Sequence, residues 1–243
     1  METTETGKVN RMKWRYLYSI LPWIIQAVVT GFSRIRYHIF FQYTVRGREN
    51  IKDIKGAVIF ASNHTSELDP VTVTTGIPFF SHFIPLFYVS LTKKFYKRFG
   101  WRKFFYGGTL FKACGAYPAI VGLNNYALSL STHVEILNSN RSLCIFPEGK
   151  MGSGKTIHEA KGGVGYLAYT TKKPVVPMSV TWAFVDDFGK KLRKPKLDIV
   201  FGKPFYYDDL FKDILTPIIT LERDDFRIAA RKIMDVALGF NRT

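Results

Sequence analysis

The sequence predicts an α/β domain with a largely parallel sheet flanked by helices, preceded by an apolar helical segment. Two observations support the α/β prediction: short apolar runs rich in β-branched residues recur along the chain, and helical patterns separate several of them. A third observation, an uncharged stretch near the N-terminus, sets the first segment apart. The sequence shows no repeat and no linker-like tract after it, so we predict a helical segment over residues 1–42 and one domain over residues 43–243.

The N-terminal stretch, residues 16–33, contains no charged side chain and approaches the roughly 18 residues of the shortest membrane-spanning helices. Pro22, Gln26 and Gly31 weaken a straight spanning helix. Basic residues flank the stretch on both sides, and positive flanks prefer the cytoplasmic face, which argues against a crossing. We therefore predict a membrane-docking helix or helical hairpin in one leaflet, as in a peripheral or monotopic protein on the cytoplasmic side of the cell membrane. The alternative is a helix buried in the core.

After this segment, strands and helices alternate. The predicted strands are residues 43–47, 57–62, 85–90, 142–147, 175–182 and 197–204, and the predicted helices are about residues 92–112, 123–138, 159–171 and 224–238. In parallel sheets of this kind, active residues usually lie at the carboxyl ends of strands. The segments that follow the second and fourth strands are therefore the candidates for a site.

The composition is that of a folded and strongly basic protein. Hydrophobic residues make up 47% of the 243, which excludes a disordered chain, and the formal net charge is +16. Such a charge attracts nucleic acid, anionic lipid headgroups or phosphorylated small molecules, and its sign alone does not choose among them. The two cysteines, Cys114 and Cys144, are too few for a disulfide framework or a zinc site.

Residues 93–108 interleave basic and aromatic side chains. This pattern suits a surface for nucleic acid, for anionic lipid with aromatic rings at the headgroup level, or an ordinary amphipathic helix with its rings in the core. Because the N-terminal segment already indicates a membrane, we expect an anionic membrane surface as the partner and no nucleic acid.

The second strand runs directly into the sequence NHTSELDP, in which Asp69 follows His64 by five positions. A carboxylate on one imidazole nitrogen sets the tautomer and stabilises the imidazolium, and the other nitrogen is then free to deprotonate a hydroxyl. The alternative is a capping box over residues 66–69 at the start of a helix, with His64 as an ordinary turn residue.

The stretch SLCIFPEGKMGSGKT, residues 142–156, has two interpretations. Residues 149–156 match the phosphate-loop pattern G-x-x-x-x-G-K-T after a strand, as in a nucleotide-dependent enzyme that uses Lys155 and Thr156. Against this, the loop lies late in the chain, and glycines occupy positions where the following helix should begin.

In the second interpretation, Glu148 and Gly149 bind a polyhydroxy acceptor. The carboxylate accepts hydroxyl hydrogens, and glycine allows the backbone to approach closely. Lys150, Lys155 and Lys161 follow this corner and are placed to hold a phosphate. A solvated basic turn is the simpler explanation of the same lysines.

Four segments in order resemble the motifs of the glycerolipid acyltransferase family, the 1-acyl-glycerol-3-phosphate acyltransferase group. NHTSELDP and FPEGK resemble the first and third motifs, N-H-x-S-x-x-D and F-P-E-G-T-R-S. LFKACGAYPAI at residues 110–120 resembles the second segment, and KPVVPMSVTW at residues 173–182 resembles the fourth. The resemblance extends over about residues 46–204.

The resemblance implies a mixed sheet wrapped by helices, a membrane-docked hairpin and a role in phospholipid biosynthesis. The reaction moves a fatty acyl group from acyl-CoA or acyl carrier protein to the hydroxyl of a lysophospholipid, and 1-acyl-glycerol-3-phosphate would give phosphatidic acid. His64 would be the general base and Asp69 its partner, while Asn63 and Ser66 would shape the turn. A thioester is already activated, so we expect no nucleophilic side chain, no metal and no redox cofactor.

The chain departs from the family pattern at the acceptor site. Glu148 and Gly149 match the third motif, but its Thr-Arg-Ser is replaced here by residues 150–152, Lys-Met-Gly. The arginine of the second segment is also missing from residues 117–121. Arginine binds phosphate in a planar fork, whereas lysine supplies a point charge. Either the lysines replace the arginines, or the acceptor is a different lipid alcohol or amine.

Overall fold

A computed structural model of the protein describes residues 3–91, 109–120, 125–152, 159–185, 189–214 and 221–240. The strands are β1 (Gln42–Arg46), β2 (Ile59–Ser62), β3 (Phe87–Ser90), β4 (Ala116–Pro118), β5 (Leu143–Ile145), β6 (Val175–Val185) and β7 (Lys191–Phe201). The helices are α1 (Thr3–Phe40), α2 (Asp69–Gly76), α3 (Thr109–Ala113), α4 (Tyr126–Ser129), α5 (Ser131–Asn138), α6 (Gly163–Thr171), α7 (Tyr207–Phe211) and α8 (Arg223–Gly239), with a 3-10 turn at Arg48–Asn50.

The strands form one seven-stranded sheet in the order β1-β7-β6-β2-β5-β3-β4. β5 and β6 pair with β2 in parallel on either side, and β3 and β4 continue the parallel part. β7 runs antiparallel to β6, and β1 pairs with β7 in parallel, so these two strands point the opposite way. The predicted mixed, largely parallel sheet is confirmed. β4 was not among the predicted strands because three residues are too short for an alternating pattern.

Helices cover both faces of the sheet, which explains the continuous apolar run of β2. Ile59 and Ala61 point into the core that the sheet shares with α5, α6, α7 and α8. Phe60 points into the opposite core, beneath α1 and α2. Because β2, β5 and β6 are parallel, their carboxyl ends lie at the same edge of the sheet.

The N-terminal segment is one helix, so of the two predicted forms, a helix or a helical hairpin, the structure has the single helix. α1 continues through Pro22, although proline lacks the N–H that a helix interior uses. Tertiary contacts hold the turns that follow: the Gln26 amide donates to the Leu86 carbonyl at 2.6 Å and accepts from the Leu86 N–H at 2.8 Å. In the described part of the chain, no helix combines the length and the apolar character needed to cross a membrane. Membrane docking and the domain boundary at residue 42 stay predictions.

The remaining helices differ from their predictions in extent. Most of the helix predicted over 92–112 lies outside the described residues, and α3 is the part described at its end. The predicted helix 123–138 is two helices, α4 and α5, separated at Leu130. α6 begins at Gly163 rather than at residue 159, and a glycine within it allows close packing. A Cβ on Gly165 would lie 2.4 Å from the Phe226 carbonyl oxygen of α8.

Candidate active site

A histidine–carboxylate pair lies just beyond the carboxyl end of β2. His64 Nδ1 is 3.0 Å from Asp69 Oδ2, and the His64 side chain is 23% exposed whereas that of Asp69 is fully buried. The pair therefore has a solvent-accessible imidazole backed by a carboxylate that water does not reach. With Nδ1 on the carboxylate, Nε2 is the ring nitrogen left for a substrate proton.

Backbone geometry holds Asp69 in place. Its Oδ2 also accepts hydrogen bonds from the N–H groups of Thr65 at 2.6 Å and Ser66 at 2.8 Å. Its Oδ1 accepts from the indole Nε1 of Trp182 on β6 at 3.3 Å. Hydrogen bonds to the charged form stabilise a carboxylate in a buried position. Four donors, counting His64, therefore converge on one buried carboxylate.

The turn that carries the pair is not a capping box. α2 has Leu68 at its N-cap, with no side-chain cap, and Asp69 is its first residue. Ser66 Oγ accepts only from the nearby Leu68 N–H, at 3.2 Å. The Asp69 carboxylate instead folds back over the turn onto His64, which is the arrangement that the catalytic interpretation requires.

Asn63 connects the turn to the neighbouring strand. Its side-chain nitrogen donates to the Val180 carbonyl at 2.9 Å, and its oxygen accepts from the Val180 N–H at 2.8 Å. The asparagine is buried, so both of its amide groups are paired in the interior. The turn is thereby attached to β6, and the roles that the resemblance implies for Asn63 and Ser66 stay predictions.

The end of β5 supplies the second side of the site. The buried carboxylate of Glu148 accepts a hydrogen bond from the His64 backbone N–H at 3.2 Å. The Phe146 ring stacks on the His64 imidazole, with centroids 4.3 Å apart and planes 22° from parallel. The Gly152 N–H also donates to the His64 carbonyl, at 2.8 Å. The two predicted motifs, distant in sequence, therefore form one site.

Gly149 and Lys161 lie together at this corner. Gly149 has φ +65°, and a Cβ there would be 2.7 Å from Lys161 Nζ. The absence of a side chain therefore makes room for the lysine amine beside the Glu-Gly corner. Lys150 is exposed, and the structure gives it no contact with the pair, while Lys155 lies outside the described residues.

The described part of the stretch over residues 142–156 does not fit a phosphate loop. In a phosphate loop, a helix begins around the Lys-Thr pair, which corresponds here to Lys155 and Thr156. Residues 159–162 are not helical, and α6 begins only at Gly163. Among the described residues, the first helix after this stretch therefore begins eight positions beyond Lys155 in the sequence.

Sequence patterns did not single out two residues of the site, Phe146 and Trp182. In the sequence, Phe146 is only the first residue of the FPEG segment, and Trp182 only the last residue of the fourth segment. Phe146 lies just past the carboxyl end of β5, and Trp182 lies on β6 beyond the last residue that pairs with β2. That position was the signal available for them, since side chains there converge on one sheet edge.

The family model described as Acyltransferase matches residues 42–181, more than half of the chain. A probable 1-acyl-sn-glycerol-3-phosphate acyltransferase from Mycoplasma pneumoniae is 26% identical over 185 residues, which cover 72% of this chain. The match spans 63% of that relative's own length.

The fold also matches a solved structure. The crystal structure of the 1-acyl-sn-glycerophosphate (LPA) acyltransferase PlsC from Thermotoga maritima aligns with a TM-score of 0.59 and 15% sequence identity. The alignment covers 90% of this chain and 80% of PlsC, and at this identity it shows a shared fold. The family resemblance inferred from the four sequence segments is confirmed by the family match: the chain belongs to the Acyltransferase family.

Proposed function

We propose that the chain is a membrane-associated acyltransferase that moves a fatty acyl group from acyl-CoA or acyl carrier protein to the free hydroxyl of 1-acyl-glycerol-3-phosphate. The observation that carries the proposal is the 3.0 Å contact between His64 Nδ1 and the buried Asp69 carboxylate, beside Glu148 at the same sheet edge. Membership of the Acyltransferase family supports the reaction class. The name of the Mycoplasma pneumoniae relative supports the acceptor.

The proposed chemistry needs one base. His64 Nε2 takes the proton of the acceptor hydroxyl while its oxygen attacks the thioester carbonyl. Asp69 stabilises the imidazolium that forms. The tetrahedral intermediate then collapses, the C–S bond breaks, and the imidazolium returns its proton to the leaving thiolate. The products are an ester and a free thiol, and His64 is neutral again.

Neither cysteine suits a covalent acyl-enzyme route. Cys144 is fully buried, and its burial, together with the charge of nearby Asp69, raises the pKa of its thiol. Burial also raises the pKa of the Cys114 thiol. Since the thiolate is the reactive form, both side chains are held in the unreactive state. Direct attack by the acceptor, activated by His64, is the simpler route.

The acceptor is proposed to bind at the corner formed by Glu148 and Gly149. Glu148 already contacts the His64 backbone, so a hydroxyl near its carboxylate would also be near the imidazole. The Lys161 amine beside Gly149 supplies a positive charge for an acceptor phosphate. Lys150 and Lys155 are proposed to add to that charge, in place of the two arginines that the family motifs contain.

The test is a turnover assay on purified protein in detergent, with acyl-CoA or acyl carrier protein as donor and a panel of lysolipids with and without a phosphate. We expect the phosphate-bearing acceptor to react fastest. His64→Ala should lose turnover by about a thousandfold, because general base catalysis is worth about 10²–10⁴. Lys52→Ala is the control, since the Lys52 side chain is exposed and lies outside the site.

The same assay separates the alternatives. If only the phosphate-free acceptors are acylated, the acceptor is a different lipid alcohol or amine. The proposed reaction class, acyl transfer, would still hold. A phosphate-loop enzyme would lose activity with Lys155→Ala, keep it with His64→Ala, and bind nucleotide with magnesium. Absence of acyl transfer to every acceptor from either donor would refute the proposal.

A further inference from the structure

We propose that the loop between α2 and β3 inserts into the bilayer through Phe79 and Phe80, and that it forms one anchoring surface with the outward face of α1. We call this the anchor surface, and it comprises Ile24, Val28, Phe32, Ile35, Phe79 and Phe80. All six side chains are exposed, from 38% at Phe79 to 96% at Phe80. The inference rests on the proposed function only in taking a membrane lipid as the substrate.

α1 has the polarity of a helix that faces lipid. The side chains it turns toward the domain are largely polar: Gln26, Thr30 and Ser33 are each at most 7% exposed. The side chains it turns outward are apolar, with Val28 at 67% and Phe32 at 70% exposure. A helix on the surface of a water-soluble domain shows the opposite arrangement. The outer face therefore requires an apolar partner.

Specific contacts attach the loop to this helix. Arg34 donates from Nε to the Thr75 carbonyl at 3.0 Å and from its terminal nitrogen to the Ile77 carbonyl. The Arg34 guanidinium also lies 5.7 Å from the centre of the Phe79 ring. The ring also lies beside Gly31, where a Cβ would be in ordinary van der Waals contact with it, 3.8 Å from Phe79 Cε2. The loop is therefore held against α1, beside the outward residues of the helix.

Within the loop, Phe80 has no packing role that would account for an aromatic residue. Its contact in the described structure is with Phe79, edge to face, with ring centroids 5.2 Å apart. An exposed pair of phenylalanines next to a long exposed apolar face is the kind of contiguous apolar patch that marks an interaction surface. None of the described residues buries Phe80, which is 96% exposed, so its burial comes from outside the described part of the chain.

The charges at the edge of the anchor surface favour an anionic bilayer over a protein partner. Arg36 lies over the Tyr37 ring on the flank of α1, and Lys194 of β7 donates to the His38 carbonyl at 2.9 Å. These cations surround the C-terminal part of the helix, and the whole chain carries a formal charge of +16. An apolar centre with a basic rim matches acyl chains beneath anionic headgroups.

α2 connects the loop to the reactive pair. Its first residue is Asp69 and its last is Gly76, so the catalytic carboxylate and the inserted loop lie about 12 Å apart along one short helix. Insertion of Phe79 and Phe80 would therefore place His64 near the headgroup region. This gives the loop a function in substrate access as well as in binding.

The test uses a fluorophore that responds to polarity, attached at position 80 in the full chain. Phe80→Cys is made in a Cys114→Ser background, which leaves only the buried Cys144 as a native thiol. The labelled protein is mixed with vesicles of phosphatidylcholine and phosphatidylglycerol. We expect the emission of the label to shift to shorter wavelength on vesicle binding. Ile228→Cys is the matched control, because Ile228 is 51% exposed on α8, which packs on the opposite face of the sheet.

Partitioning supplies a second measurement. Phe80→Ser should weaken vesicle binding by roughly tenfold, and Ile228→Ser should leave it unchanged. Phe80→Ser should keep turnover on a short-chain acceptor that is monomeric in solution, and His64→Ala should keep vesicle binding. A vesicle-bound protein whose position-80 label emits as in water would overturn the inference. The inference would also be overturned if sedimentation without lipid showed a dimer and Phe80→Ser dissociated that dimer.

Discussion

The indole Nε1 of Trp182 lies 3.3 Å from Oδ1 of Asp69, although 113 positions separate the two residues. The Trp182 ring system also contacts Tyr37 of α1 and Phe41, the residue after the helix, with both rings edge-on at centroid distances of 5.7 and 5.5 Å. One side chain therefore connects the buried carboxylate of the site with the helix proposed to bind the membrane. We expect Trp182 to position the carboxylate.

Trp182→Phe should lower kcat by about tenfold and leave KM nearly unchanged, since a long hydrogen bond to a buried charge is worth about 1.5 kcal/mol. Phenylalanine keeps the ring contacts with α1 and removes only the donor. The measurement is steady-state turnover in wild type and in an Asp69→Asn background. In that background Trp182→Phe should have little further effect. An equal loss in both backgrounds would indicate a packing role instead.

Asn63→Ala should destabilise the fold as well as the site. The substitution leaves the N–H and the carbonyl of buried Val180 without their partners, at a cost of about 2–5 kcal/mol. Urea unfolding should show a lower midpoint with an unchanged slope. Ser66→Ala is the control, because Ser66 Oγ pairs only with an exposed N–H in its own turn, and its stability should change little.

Gly165→Ala should separate α6 from α8. The new Cβ would lie 2.4 Å from the Phe226 carbonyl oxygen and 3.0 Å from its Cα, so backbone has to move. We expect a loss of about 1–3 kcal/mol, typical of overpacking, measured by thermal or urea unfolding. Gly239→Ala is the matched control at the end of α8, where a Cβ meets nothing within 4 Å. Equal stability of the two variants would contradict the close approach.

His133 should make the fold sensitive to mild acid. Burial lowers the pKa of its imidazole to about 4, partly offset by the hydrogen bond of Nε2 to the Tyr117 carbonyl at 3.1 Å. Below about pH 6.5 the unfolded histidine takes a proton while the folded one stays neutral, so the proton favours unfolding. The stability due to a neutral His133 is complete above pH 6.5 and is lost progressively toward pH 4.

Between pH 7 and pH 5 this single residue should cost about 2 kcal/mol of unfolding free energy. His133→Gln keeps a donor for the Tyr117 carbonyl and has no proton to bind. Its urea stability should therefore fall less than that of wild type over the same pH interval. His82→Gln, at an exposed histidine, should follow wild type. If His133→Gln also follows wild type, another group governs the acid sensitivity.

The sequence by itself determined six of the seven strands and the candidate pair of His64 and Asp69. His64 and Asp69 are five positions apart, and a turn after a strand is a local structure that a short sequence can specify. β2 was predictable because a strand buried on both faces must be apolar throughout. The FPEG segment was located in the same way, at the end of a second strand of the parallel sheet.

Only the tertiary structure decided which groups converge on that pair and which way α1 faces. Trp182 reaches Asp69, and Phe146 stacks on His64, because β5 and β6 flank β2, and the sheet order does not follow from any one segment. The same holds for α1, whose Gln26 and Thr30 turn inward because Leu86 and Thr74 offer partners far along the chain. Periodicity shows that a helix has two faces, and the free energy of packing against distant residues selects the one that is buried.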